Sequence, residues 1–533
     1  MHRRRLLWAL AAGFAAGVGL ASLQLLLWWH ITPSVRPALL ASLAWGSWGA
    51  LWLGGGGFLL WELGSFLQTL GRRGRRTQGT FPFLLGALMV AGVALYNRDV
   101  LRQLLPPAHR QALAVVAVFA LLWAVAWVLA RRRRPLQVAL LAVWVFGVWW
   151  PWWGVGQQGD QQGGVKTPWV WKAEPTPRRA LVVVWEGADL AWLLPQVDGG
   201  VMPFLQSLWP RGSWGQLRTV SPFSRAASLV TWATGCSPVR HRVVARRAYR
   251  ISFLSREPVS LLLRGPWPTP HQLPWRLWER AAPPQPEQPT LWEVLPALGV
   301  PTALVGWPFP TRPTAAQVAG PEWVHGETPL LEAEWQRAVM EAVGQDARRR
   351  TATLRALGVA AEVGVRAVLL AGDGKTQVLI VHLDLPARLR PLWSGSDSGG
   401  VLPLTAQFLD GQLARLWQLF SDDQTLLLLL SPYGMAPPSS WDRLLANVGL
   451  TGQWPVSPKN SPDGFFFLYG RGVASGVRVR GGRTADLVPT LMYLLDLPVA
   501  KSLSGRVLLA AVDERWAANV PLRLVPAYPT PAP

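Results

Sequence analysis

Two carboxylates stand where an open α/β sheet would put its chemistry. Glu186 follows the apolar run of residues 181–185, and Asp384 follows a second apolar run, residues 378–383. A short apolar run stopped by a polar residue or a turn describes a strand buried on both faces. The residue that follows then sits at the strand's C-terminal end, the edge where such sheets hold their ligands. A third run, residues 426–430, leads into Ser431, Pro432, Tyr433, Gly434 and Met435. The single cysteine, Cys236, follows Thr234-Gly235 in a turn. One cysteine excludes internal disulfides and cysteine metal knots, and in a buried turn it reads as a small core residue rather than a reactive thiol.

The elements that must position these groups belong to only part of the chain. A length of 533 residues exceeds what one core holds, so at least two domains are expected. The formal charge of +22 is uneven: residues 1–150 hold fifteen Arg against Glu62 and Asp99, which leaves +13. These arginines fall in short clusters between long apolar stretches, so a membrane explains the basicity and nucleic acid is not needed. Five spans are expected, at residues 6–29, 38–60, 81–96, 112–130 and 136–153. Clusters at residues 3–5, 72–76 and 131–134 alternate with sparser loops, which places the N-terminus in the cytoplasm. An odd number of spans puts everything after Trp153 outside, in a periplasmic or extracellular position. Glu62, the one acid within a span, lies near its cytoplasmic end ahead of an arginine cluster and reads as interfacial or Arg-paired.

Residues 154–177, rich in Gly, Gln and Pro, read as a linker. The soluble domain is expected over residues 178–520, with an insertion at about 242–375. Within that insertion, residues 265–290 are crowded with Pro and Trp as an irregular excursion or lid, and residues 330–370 are helical. A Pro-rich tail, residues 521–533, closes the chain.

The order of motifs resembles the alkaline phosphatase superfamily, in its type I phosphodiesterase/nucleotide pyrophosphatase-like branch. The residues that carry the resemblance are Glu186-Gly187, Met202-Pro203-Phe204-Leu205, Thr234-Gly235, Pro238 to His241, Asp384 with Trp393, Ser431 to Met435, Ser461-Pro462-Asp463-Gly464, and the closing Asp486-Leu487-Val488-Pro489-Thr490 and Gly505-Arg506-Val507-Leu508. The resemblance implies a doubly wound, mainly parallel sheet. It also implies two zinc-like ions held by three Asp and three His, with a Thr or Ser attacking phosphorus. Carboxylate and neutral imidazole ligate such ions, which lower the hydroxyl's pKa and hold the transferring charge.

Carried over position by position, that set is degenerate. The nucleophile position holds Arg225. The Asp positions hold Glu186, Asp384 and Pro432, and the His positions hold Arg388, Tyr433 and Asn460. Pro432 has no side-chain ligand atom, and Arg does not lose its proton to coordinate. No metal cofactor is therefore expected. Instead, Arg225 or Arg388 should pair with Glu186 or Asp384 and stabilise a pocket emptied of metal. Two alternatives stay open. A one-residue slip puts Ser224 at the nucleophile position, with Glu186, His382 and Asp384 as a rearranged ligand set, because residues i and i+2 share a strand face. The arginines could also hold a phosphate or sulfate without cleaving it. His241, His271 and His325 match no ligand position.

Two function classes follow. One is a membrane-anchored pseudoenzyme, an accessory subunit that binds membrane-protein partners. Its 33 Trp supply anchors that interfaces favour, although membrane belts and cores consume tryptophan too. The other is an active phosphodiester or phosphate-ester hydrolase, or a head-group transferase, with a rearranged site.

Overall fold

The computed structural model describes residues 2–27, 43, 45–47, 49–54, 81–130, 133–156, 177–221, 223–244, 248–251, 255–259, 278–281, 285–309, 311–312, 316–319, 331–390, 400–435 and 462–528. Two compact units emerge, residues 1–164 with 244–284, and residues 165–243 with 285–533.

The first unit is built on the helices His2–Leu27, Phe81–Val100, Pro107–Leu129 and Arg134–Gly156. Among the described residues three segments are long and apolar enough to cross a membrane, Leu6–Gln24, Pro82–Val100 and Pro107–Leu129, and Pro135–Pro151 is a shorter apolar helix. The expected count of five spans is not confirmed, because the span at 38–60 falls largely outside the described residues, as do Glu62 and the 72–76 cluster. Small residues let the first helix approach its neighbour: a Cβ on Gly13 would stand 2.4 Å from the carbonyl oxygen of Gly49. Large rings fill the space between the other helices, Phe83 on Trp127 at 4.4 Å and Trp123 on Trp144 at 4.7 Å between centroids.

The second unit is α/β. Its eight-stranded sheet uses β1 (Arg179–Trp185), β2 (Ser213–Arg218), β6 (Thr302–Val305), β7 (Gln317–Ala319), β8 (Val378–Leu383), β9 (Thr425–Ser431), β10 (Gly464–Tyr469) and β11 (Val477–Arg483). The spatial order is β11-β2-β10-β9-β1-β8-β6-β7, parallel throughout except where β10 runs against β9 and β2. β1, β8 and β9 are the three apolar runs read from the sequence. Alternation along β1 divides the core in two: Ala180, Val182 and Val184 face one hydrophobic cluster, and Leu181, Val183 and Trp185 the other. Both faces are covered, so a continuous apolar run was the right signature.

β3 (Ala248–Ile251), β4 (Ser255–Val259) and β5 (Trp278–Ala281) form a separate antiparallel sheet that clusters with the first unit. The insertion expected wholly inside the α/β domain is therefore divided between the two units. Its helical part lies where expected, as Ala333–Val343 and Ala347–Ala371. The tail expected from residue 521 is folded as far as Tyr528. β12 (Val499–Ala500) pairs in parallel with β13 (Leu524–Val525), and the buried Tyr528 donates its hydroxyl to the Pro498 carbonyl at 2.9 Å. A tyrosine and a valine with apolar cover available fold down despite the surrounding prolines. Of the linker expected at 154–177, residues 154–156 belong to the helix Arg134–Gly156 and residues 157–176 lie outside the described residues.

Candidate functional site

Glu186 terminates β1 and is fully buried. Its backbone N–H donates to the Leu383 carbonyl at 2.9 Å, which ties the end of β1 to the end of β8. Gly187 then takes φ +86°, and a Cβ there would meet the Ala387 backbone at 2.7–2.8 Å. Only glycine fits this turn. It brings Asp384, at the end of β8, to the same sheet edge, and Tyr433, just past the end of β9, joins them.

Arg225 opens the helix Arg225–Thr234, capped by Ser224, whose Oγ accepts the Ala227 N–H at 3.3 Å. A cation in a helix's first turn opposes the helix dipole. Here it is held by a carboxylate fork: Arg225 donates through Nε to Glu186 Oε1 and through Nη2 to Glu186 Oε2 at 2.8 Å, with Asp384 Oδ2 3.5 Å from Nη2. Tyr433, 1 % exposed, donates its hydroxyl to the same Glu186 Oε1. Arg388 closes on Asp384 from the next turn of chain, Nε to Oδ1 at 2.6 Å, with its side chain 48 % exposed.

His382 completes the shell from within β8. Its Nδ1 is 3.0 Å from the Gly306 carbonyl, which only accepts, so Nδ1 carries a proton. Its Nε2 lies 2.9 Å from Glu186 Oε2 but off the hydrogen-bonding line, a close contact rather than an aligned bond. Burial alone would push the Glu186 carboxyl up, but His382 and the Arg225 guanidinium outweigh it and hold the group well below the usual range. Burial opposes charge on Arg225 too, and Glu186 more than compensates, so its pKa rises. Burial and the adjacent carboxylate drive the Tyr433 phenol well above its ordinary value. The site is a charged cluster, buried at Glu186, His382 and Tyr433 and open at Arg388, in which each ionised group is fixed by another.

Sequence reasoning missed two members of this edge. Asp189 caps the helix Leu190–Asp198 by accepting from Trp192 N at 2.9 Å, and Arg390 Nη1 bonds both Asp189 Oδ2 and the Gly187 carbonyl at 2.7 Å. The available signal was Asp189 itself, a cap-type residue directly ahead of an apolar helix. Asn460, Trp393, His271 and His325 lie outside the described residues.

The family model for Type I phosphodiesterase / nucleotide pyrophosphatase matches residues 181–454, just over half of the chain. The chain belongs to this family. No curated protein matches its sequence. Similar solved structures include murine ectonucleotide pyrophosphatase / phosphodiesterase 5, at 14% identity over 60% of this chain and 95% of that one, with a TM-score of 0.37. The human protein of the same name shares 13% identity over 62% and 97%, with a TM-score of 0.39. Phosphonoacetate hydrolase from Sinorhizobium meliloti 1021 shares 16% over 51% and 62%, with a TM-score of 0.32.

At the positions expected to hold metal ligands, the described side chains are engaged by other groups of the protein. The two carboxylates at the site face guanidiniums, Pro432 offers only its carbonyl, which receives the Thr484 hydroxyl at 3.3 Å, and Tyr433 is spent on Glu186. Among the described residues no three His, Cys, Asp or Glu side chains converge as a metal cluster. The rearranged set of Glu186, His382 and Asp384 is split by Arg225, which stands against both carboxylates.

His241 is a core residue. Its Nδ1 accepts the Val243 N–H at 3.1 Å and its Nε2 meets Thr231 Oγ1 at 3.0 Å, and burial lowers its pKa from 6.5 to about 3. The folded protein binds this proton less readily than the unfolded chain, so the neutral ring's contribution is complete above pH 6.5 and is lost as pH falls toward 3. Unfolding free energies from urea titrations, measured across that window on the full chain in detergent, should fall by about 1.4 kcal/mol for each unit the pH is lowered, and His241→Gln should flatten the slope. An unchanged slope in the variant would assign the acid sensitivity elsewhere.

Proposed function

We propose that this chain is a membrane-anchored pseudoenzyme. Its phosphodiesterase-like domain lies outside the cytoplasm and serves as a binding or structural subunit of a membrane assembly. The observation that carries this reading is the Arg225 fork on buried Glu186, with Tyr433 on the same carboxylate. A guanidinium at the nucleophile position removes the attacking hydroxyl and supplies the positive charge that ions would bring. Ser224, the alternative nucleophile, is engaged as a helix cap. The half-exposed Arg388 is the cation that an anion at the mouth of the site would meet.

The test is elemental analysis and turnover of an aryl phosphodiester on full-length protein purified in mild detergent, with size analysis of the same sample. The expected result is substoichiometric zinc and other divalent metals, no turnover above background, and co-eluting membrane protein. Stoichiometric metal with turnover would overturn the reading, and Ser224, Glu186, His382 and Asp384 would then be the residues to mutate.

A further inference from the structure

The sheet edge formed by β11 and β2 carries an arginine face outside the candidate site. Side chains alternate along β2: Leu217 enters one core, while Trp214 packs toward the other, so Trp214, Gln216 and Arg218 share a face. The parallel register sets Arg478 against Trp214 and Arg483 against Arg218. Arg478, with its guanidinium carbon 5.0 Å from the Trp214 ring centre, Arg483 and Arg218 therefore lie on one face. Arg480 stands exposed in the bulge between Val479 and Gly482. Arg506 joins at the end of the row, since its N–H and that of Arg483 each bond an oxygen of the same Asp486 carboxylate at 2.9 Å. All five arginines are exposed.

Little negative charge answers them. Asp486 is buried and accepts those two amides, with one Arg483 nitrogen 3.7 Å away, and Asp463 accepts the Thr219 amide at 3.1 Å. Like charges placed opposite on paired strands are destabilising. Charges on an edge strand alone would be explained as protection against edge-to-edge pairing. That explanation accounts for Arg478, Arg480 and Arg483 but not for Arg218 on the inner neighbour or Arg506 beyond the sheet. The bulge interrupts the edge, which disfavours an added peptide strand and leaves recognition to side chains. The row contains arginine and no lysine, the fork that grips phosphate in pairs of hydrogen bonds, with a strand pitch of about 7 Å per two residues.

We infer that this face docks an extended, phosphate-bearing polymer chain. The probe is labelled inorganic polyphosphate, titrated against the full-length protein in neutral detergent at several salt concentrations. The variant R478Q/R480Q/R483Q should bind at least about tenfold more weakly, and the slope of log affinity against log salt should become shallower by about one unit per arginine removed. The control R348Q/R355Q/R415Q removes three exposed arginines elsewhere in the same unit and should bind like wild type. R480E, at a position with no side-chain hydrogen bond, ion pair or ring contact to lose among the described residues, should by itself weaken binding severalfold, which keeps the test valid if the triple variant folds poorly. Equal losses in both triple variants would reduce the effect to bulk charge and overturn the proposal. So would undiminished binding by R480E, or poly-glutamate competing as well as unlabelled polyphosphate, which would make the partner an acidic protein segment.

Discussion

Arg225→Ala is expected to destabilise the α/β unit by roughly 3–5 kcal/mol, a fall in melting temperature on the order of 5–10 °C. The cost comes less from the lost pair than from what stays behind: Glu186 is fully buried and would keep its charge with one phenol and a misaligned imidazole for partners. Arg388→Ala sets the scale, because Arg388 is half exposed and its loss should cost under about 1 kcal/mol. Replacing the cluster as a whole by apolar groups, R225M/E186L/Y433F, should recover most of the loss. The pH dependence carries the same signature. The Glu186 carboxyl is held well below its ordinary 4.5 in the folded protein, so its contribution is complete above that value and is lost as pH falls. Arg225→Ala should weaken this dependence. If thermal melts place Arg225→Ala no lower than Arg388→Ala, the buried cluster does not hold the site together.

Gly187→Val should be at least as damaging, with a loss of about 3 kcal/mol or more. The position combines φ +86° with a Cβ that would press on the Ala387 backbone rather than on a side chain able to swing away. The Gly187 carbonyl also receives Arg390, and its backbone bridges Gly434, so a shift there disturbs the ends of β1, β8 and β9 together. Chemical denaturation of this variant beside Gly374→Ala reads the difference. Gly374 has φ +65° but open space around its Cβ, so that change should cost only the backbone strain, about 1 kcal/mol. Equal losses would mean that strain alone, not the close approach of Ala387, explains Gly187.

Much of this was legible in one dimension. Apolar runs at 181–185, 378–383 (broken only by His382) and 426–430 marked the central strands, because a strand covered on both faces needs no polar alternation. The turn after β1 announced itself by Glu-Gly, and the helices of the insertion by their period. The motif order pointed to the type I phosphodiesterase family before any coordinates. Other features were hidden. The folded segment from 521 to 528 was read only as part of a Pro-rich tail, since its proline content speaks about local conformation and not about the hydrophobic cluster in which Tyr528 is buried. The division of the insertion between two units could not be read either, because clustering with one unit or the other depends on contacts distant in sequence.

At the site itself, the sequence by itself determined which chemical groups were available: two carboxylates, Arg388, a tyrosine, a proline and Asn460 at the positions where the resemblance implies ligands, and Arg225 where it implies the nucleophile. From that inventory the usual ligand set is not expected, since residue type decides what can coordinate. Only the tertiary structure decided who pairs with whom. It put Arg225, not the half-exposed Arg388, on buried Glu186, brought Tyr433 onto the same oxygen, left Ser224 to cap a helix, and revealed Arg390 with Asp189. These partners are 39 to 247 residues apart in the chain. Their pairing is set by strand order and by the φ of one glycine, and a charge buried at the end of a strand takes whichever donors the fold delivers there.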